Sequence, residues 1–261
     1  MKAILLFIGV SISVLFSGCS KDNDLSSGAK LFRVYGSGQL QSEYSYNANG
    51  LLSTHTNYFA GRKSGEVICY YDAGNKLVKK ETALDFSSSS ITPQWSYSYT
   101  EYIYSADGKV SEEKNYLKQN NVYVLVSKKK PGFDANGRLI SSTLLTPADV
   151  PLRLTKYEYS HKGNIVLQED YQYNGTALDL HFKYLYDDHD NKVNPYFGLY
   201  SGEPPYSINR NNILQTTVIN YIMTPGTPIT TVNKTIYNSY NSSGLPIKFS
   251  ENGTEFTYEY K

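Results

Sequence analysis

The chain has 261 residues, with 25 Lys and Arg against 24 Asp and Glu for a formal net charge of +1, and 26 tyrosines. A balance this even gives no electrostatic basis for recognising nucleic acid. Aromatics at 14% beside only 19% charged residues exclude a disordered chain. Tyr, Thr, Val and Ile with Gly and Asn punctuation point to strands, in a chain long enough to bury a core.

Met1-Lys2 opens the sequence, and Ala3 to Phe16 forms an apolar run of 14 residues. That is short for a bilayer span and right for the apolar region of a secretory signal. The run ends Leu15-Phe16-Ser17-Gly18-Cys19, which resembles a bacterial lipobox. The resemblance implies a signal peptide over 1–18 and lipidation of Cys19. Acyl chains at about 0.8 kcal/mol per buried methylene then hold the protein on a membrane. Ser20 directly after the cysteine fits outer-membrane delivery. The cluster Lys21-Asp22-Asn23-Asp24 resembles the surface-export signal of Bacteroidetes lipoproteins, implying that the protein faces the cell exterior. Residues 19–32 are polar and small, and read as a flexible tether. With Cys19 lipidated, Cys69 is the other cysteine of the sequence, so no intramolecular disulfide is expected. It sits in the strand-like run Glu66-Val67-Ile68-Cys69-Tyr70-Tyr71 and reads as a small buried hydrophobe.

From Phe32 onward a short unit recurs. Its forms are Tyr46-Asn47-Ala48-Asn49-Gly50-Leu51, Tyr71-Asp72-Ala73-Gly74-Asn75-Lys76-Leu77, Tyr104-Ser105-Ala106-Asp107-Gly108-Lys109-Val110 and Phe133-Asp134-Ala135-Asn136-Gly137-Arg138-Leu139. Tyr159-Ser160-His161-Lys162-Gly163-Asn164-Ile165 follows, then a weaker Tyr186 to Asp190, a degenerate copy at 208–214 and a last copy at Tyr240-Asn241-Ser242-Ser243-Gly244-Leu245. The period is roughly 28 residues, as in repeat architectures. In each unit Asn, Asp or Ser opens a type I turn, and three residues later Gly takes a positive φ. Asn75 and Asp190 fill that same slot, a position Asn and Asp tolerate better than most residues. The geometry is a hairpin turn ending in a bulge. Between turns the pattern has period two: Tyr157 and Tyr159 alternate with Lys156 and Glu158, and Phe256, Tyr258 and Tyr260 with Thr257, Glu259 and Lys261.

The predicted fold is therefore all-β: an antiparallel up-and-down meander of about eight β-hairpin repeats over 33–261, curled into a flattened or hollow barrel-like sheet. Sixteen strands would close at roughly 30 Å across, too wide for one layer of side chains to fill. The repeat resembles the YD (RHS-type) repeats of bacterial surface proteins, whose unit is Tyr-Asp-x-x-Gly-x-Leu. Together with the lipobox and Asp190-Asn191-Lys192-Val193-Asn194-Pro195-Tyr196, it resembles an uncharacterised family of Bacteroidetes lipoproteins described as porin-like in fold. That likeness implies an architecture and no activity. A membrane-spanning barrel is not expected, because the apolar face is tyrosine-rich throughout, where lipid-facing strands carry aliphatics at mid-height.

Chemistry-bearing motifs are sparse. His55, His161, His181 and His189 lack the spacing of a zinc site, and Asp187-Asp188-His189-Asp190-Asn191 lacks the Gly and distal Glu of an EF-hand loop. Glu112-Glu113 and Glu169-Asp170 are carboxylate pairs of the kind glycoside hydrolysis uses. On alternating strands, however, their members face opposite ways. No cofactor, metal or catalytic residue is expected. Function is expected in varied loops at the end of the meander opposite the repeat turns: around Tyr58 and Phe59, from Phe86 to Trp95, at Pro147 to Pro151, from Asn194 to Tyr206 and from Met223 to Pro228. The candidate ligand-binding aromatics are Tyr58, Phe59, Trp95, Tyr196, Phe197, Tyr200 and Tyr206. An aromatic beside a proline at a sheet rim has a second reading, as a plug over the end of the core. The expected function is a non-enzymatic binding or adhesion module for a glycan or a protein, held to the outer membrane by its lipid. The rival readings are a structural envelope component and a carbohydrate-active hydrolase.

Overall fold

The computed structural model describes residues 28–85, 94–199, 207–222 and 227–261. Cys19, the signal segment, most of the tether, Tyr200 and Tyr206 lie outside the described residues. Among the described residues are sixteen strands. They are β1 (Leu31–Gly36), β2 (Gln39–Tyr46), β3 (Leu52–Phe59), β4 (Arg62–Tyr71), β5 (Leu77–Asp85) and β6 (Trp95–Tyr104). Then come β7 (Val110–Gln119), β8 (Val122–Phe133), β9 (Leu139–Leu145), β10 (Pro151–Tyr159) and β11 (Ile165–Tyr173). The last are β12 (Leu178–Val193), β13 (Asn211–Asn220), β14 (Ile229–Tyr240), β15 (Pro246–Glu251) and β16 (Thr254–Tyr260). Each pairs antiparallel with its sequence neighbours, and β16 returns to β1, closing a barrel without sheet edges.

The repeat turns gather at one end, called here the turn rim. Gly50, Asn75, Gly108, Gly137, Gly163 and Gly244 hold φ between 64° and 84° there, the slot anticipated from sequence. The opening residue closes each turn with its own side chain. Asp72 Oδ1, for example, accepts the Gly74 and Lys76 amides at 2.8 and 2.9 Å. The register slips by one residue beside Tyr46, Tyr71, Tyr104, Phe133 and Tyr159, the bulge that such turns leave. At the opposite, far rim most connections are tight. Ser37-Gly38, Ala60-Gly61, Asn120-Asn121 and Asn252-Gly253 all have positive φ at both positions, the signature of type I′ turns. The far rim is thus not uniformly long-looped as expected.

The weak sixth copy departs from expectation. No hairpin turn forms at Tyr186 to Asp190; β12 continues to Val193 with an irregular, bulged register against β13, and Asp190 does not take a positive φ. Tertiary partners explain why. The Asp190 carboxylate accepts the Asn212 amide and side chain at 3.1 and 2.8 Å and the Tyr240 hydroxyl at 2.9 Å, partners that an extended backbone brings within reach. The turn moves to Asn194-Pro195, and the degenerate copy at 208–214 becomes the return of the same connection into β13. Two sequence repeats therefore share one hairpin, and the pairing of Lys30 with Lys261 at the barrel seam completes the turn rim.

The repeated tyrosines point inward and tie adjacent strands together. Tyr46 Oη donates to the Leu31 carbonyl at 2.7 Å, Tyr71 to Leu52 at 2.9 Å, Tyr104 to Leu77 at 2.8 Å, Tyr159 to Leu139 at 2.7 Å and Tyr260 to Pro246 at 2.5 Å. The hydroxyl at the end of one strand thus latches the first residue of the strand before it. The basic residue ahead of that first residue covers the same ring. Lys30, Lys76, Lys109 and Arg138 stand 5.0 to 5.6 Å from the centroids of Tyr46, Tyr104, Phe133 and Tyr159. These contacts explain why the motif asks for Tyr, Gly, a basic residue and Leu together.

A ring of inward side chains cannot fill a lumen this wide, and the connection from β12 to β13 supplies the remainder. Tyr196 and Leu199 pack against one buried cluster, built on β1–β6, β15 and β16, and Ile208 packs against a second on β9–β13. Buried asparagines hold this plug. Asn209, fully buried, accepts the Ile165 amide at 2.6 Å and receives the Asn194 side chain on its carbonyl at 2.8 Å. The meander closes into a barrel-like sheet as expected, and it is stoppered at the turn rim.

Candidate functional site

Strand alternation sorts every side chain to lumen or outer wall. On the outer wall charges pair across strands at mid-height, Arg33 with Glu43 at 2.7 Å, Lys183 with Glu169 at 3.4 Å and Lys130 with Glu112 at 3.8 Å, and along β5, Lys79 with Glu81 at 2.7 Å. Of the two carboxylate pairs noted in the sequence, Glu113 and Asp170 face the lumen and Glu112 and Glu169 the solvent, so neither pair converges. Glu113 meets Lys129 at 3.4 Å, and Asp170 accepts the Thr155 hydroxyl at 2.8 Å.

Inside the barrel the chemistry changes with depth. Next to the plug lie aromatics, with Phe249 stacked on both Phe256 and Tyr258 at 4.8 Å and Tyr44 on His55 at 4.4 Å. Burial pushes the Tyr44 and Tyr258 hydroxyls well above the ordinary tyrosine range, so both stay neutral donors. At mid-height comes a belt of small polar groups, including the chain from Thr100 to Asn115 to Ser127 at 2.9 and 3.2 Å. Towards the far rim the inward side chains are aliphatic and uncovered: Leu84 is 39% exposed, Val124 43%, Ile229 47% and Val122 64%. Nothing among the described residues covers this end; residues 86–93 and 223–226 join strands there and lie outside them.

Two cavities flank the plug. One of about 480 Å³ runs from Glu251, beside a far-rim turn, down to Tyr196 and Asn194. Its walls carry Ser42, His55, Thr216 and Thr235 beside the aromatics, and no Lys or Arg lines it. The other, about 710 Å³, opens at the turn rim on the outer side of the plug, between Gly28, Tyr46, Tyr104 and Leu199.

The aromatics singled out from sequence do not form one site. Trp95 starts β6 at the far rim, half-buried, on the outer wall in phase with Tyr97 and Tyr99. Tyr58 shares that wall, its hydroxyl 3.4 Å from Glu43, three strand spacings or about 14 Å away. Phe59, at the tip of the same hairpin, is 63% exposed. Tyr196 and Phe197 sit at the opposite end, because the connection that carries them starts from the turn rim. Tyr196 is the plug's central ring, edge-on to Tyr258 at 5.9 Å, and Phe197 lies under the Arg210 guanidinium at 5.8 Å. The plug reading of an aromatic beside Pro195 describes this pair. Sequence reasoning weighed His55 only as a zinc ligand and passed over the lumen residues Ser42, Thr216, Thr235 and Glu251. A signal existed: Ser42, like Ser98 and Thr100, is a small polar residue in phase with inward tyrosines, Tyr44 and Tyr46 in the first case and Tyr102 and Tyr104 in the second.

No family model matches the sequence, and no curated protein matches it. Among solved structures, a porin-like protein from Bacteroides uniformis is 10% identical at a TM-score of 0.45, covering 84% of this chain and 90% of that one. A porin-like protein from Bacteroides vulgatus is 14% identical at 0.41, covering 89% and 99%. Identities this low and TM-scores below 0.5 carry no inference about ligand or location.

Proposed function

We propose that the protein is an outer-membrane lipoprotein, anchored through Cys19 and facing the cell exterior, that binds a ligand without chemical turnover in the far half of its lumen. The observation that carries the reading is the asymmetry of the barrel. The chain enters at the turn rim, where the plug closes the lumen, and among the described residues the opposite end opens onto a cavity of about 480 Å³. An anchor at the closed end points the open end away from the membrane. The volume falls in the range of small-molecule sites. Hydroxyl, amide and imidazole groups on an aromatic floor, with the Glu251 carboxylate at the far-rim end and no basic side chain, suit an uncharged polyhydroxylated ligand such as a short glycan, whose hydroxyls donate to the carboxylate. Paired charges on the outer wall disfavour insertion of the barrel itself into lipid, where a charge at mid-depth costs about 2–4 kcal/mol.

The test is calorimetric titration of the full chain with neutral oligosaccharides. Thr216→Trp, which fills the cavity, is expected to abolish binding, and Trp95→Ala to leave it within twofold. Binding that survives Thr216→Trp with unchanged melting would place the ligand elsewhere. Protease treatment of intact cells tests the orientation, since a protein that stays uncleaved would face the periplasm.

A further inference from the structure

The cavity at the turn rim has chemistry opposite to that of the lumen. Its floor is apolar, formed by Leu51, Phe197, Leu199 and Ile208, and its charged lining groups are Lys30 and Lys76, with no carboxylate. The tyrosines around it, Tyr46, Tyr71, Tyr104 and Tyr260, spend their hydroxyls on backbone carbonyls and so present hydrocarbon. The Asp72 carboxylate, in the turn that carries Lys76, accepts the Gly74 and Lys76 amides of its own turn. A water-filled bowl gains nothing from such a floor; an amphiphile does, at about 25 cal/mol for each Å² of apolar surface removed from water.

The position of the chain limits what the bowl can meet. Gly28 and Ala29 lie on its lip. A tether from position 19 to Gly28 spans at most about 30 Å fully extended, so an anchor at Cys19 keeps this rim within reach of lipid headgroups.

We infer that the turn-rim bowl seats one anionic phospholipid, its acyl portion on Leu51, Phe197, Leu199 and Ile208 and its phosphate at the lip, where Lys30 and Lys76 supply the positive charge. Lys30 Nζ already donates to the Gly50 carbonyl at 2.6 Å, and Lys76 Nζ stands 5.2 Å from the Tyr104 ring centroid; both ammonium groups are held at the lip. The barrel then stands on the membrane through a specific lipid as well as its covalent anchor, which fixes its axis. The choice of a membrane lipid rests on the anchor proposed at Cys19; it is independent of any ligand in the lumen.

Native mass spectrometry of the full chain, released from maltoside micelles, tests the inference with phosphatidylglycerol and phosphatidylcholine as probes. The expected result is one retained phosphatidylglycerol per chain, preferred about tenfold over phosphatidylcholine, a difference of about 1.4 kcal/mol. The double substitution Lys30→Gln, Lys76→Gln should bring that preference within twofold, and Leu51→Trp should abolish retention of both lipids. Equal retention of the two lipids by the unmodified chain would overturn the headgroup assignment. Retention unchanged in a folded Leu51→Trp protein would overturn the location. Should Leu51→Trp fail to fold, the surface lysine pair still decides, because an unchanged preference there sinks the proposal.

Discussion

Tyr104→Phe removes one hydroxyl and leaves the ring in place. That hydroxyl donates to the Leu77 carbonyl at 2.8 Å, in a half-buried position where β5 begins. Water reaches the site in part, so the loss should follow the net value of a hydrogen bond, about 1 kcal/mol, and not the full cost of an orphaned buried group. For a chain of this size that lowers Tm by about 2–4 °C. Phe133 supplies the converse. It ends β8 beside Val110 at the start of β7, the relation that Tyr104 has to Leu77, and Lys109 already covers its ring at 5.6 Å. Phe133→Tyr should therefore add the missing latch to the Val110 carbonyl and raise Tm by a similar amount. Urea and thermal melts of Tyr46→Phe, Tyr71→Phe, Tyr104→Phe, Tyr159→Phe and Phe133→Tyr measure this. The midpoints should move while the urea m-value stays constant. If the Tyr→Phe series is neutral and Phe133→Tyr destabilises, the latches are geometric coincidences and the reasoning fails.

Three further outcomes follow from the same contacts. Burial raises the hydroxyls of Tyr44, Tyr46, Tyr157, Tyr258 and Tyr260 above the unfolded value near 10, so their stabilisation is complete below that pH and is lost as pH rises through it. The slope approaches about 7 kcal/mol per pH unit for five such groups; the part of the tyrosinate absorbance that belongs to the buried rings should rise together with loss of circular dichroism, and titration of every tyrosine in a still folded protein would refute this. His189 is held below its usual pKa by burial, against the pull of Asp188 and Asp190. Because the unfolded chain then binds the proton more readily, stability should fall as pH drops below about 6.5; His189→Gln should flatten that dependence, and an identical pH profile in the two proteins would exclude the histidine as its source. Asn209→Leu strips the acceptor from the Ile165 amide and should cost about 2 kcal/mol, read as a lower urea midpoint; an unchanged midpoint would mean that the plug is not held by its asparagines.

The sequence by itself determined the local grammar of this protein. Gly three residues after Asn, Asp or Ser, a tyrosine before and a leucine after, specify a bulged hairpin turn, and period-two alternation assigns a wet and a dry face to each strand, because both rules act within a few residues. The carboxylate pairs 112–113 and 169–170 were legible on the same grounds. Only the tertiary structure decided what lies between the walls. Whether the repeat at Tyr186 to Asp190 turns back or continues as strand depends on Asn212 and Tyr240, 22 and 50 residues beyond Asp190, whose hydrogen bonds outweigh the local preference for a turn. That choice lengthens β12, shifts the connection to Asn194 and places Tyr196 and Phe197 at the end of the barrel opposite Trp95, dividing a set of aromatics that looks uniform in the sequence. The plug, the closed and open ends, and the opposite charges of the two cavities follow from it. They are properties of a closed ring of strands whose ends meet only once the last strand has paired with the first.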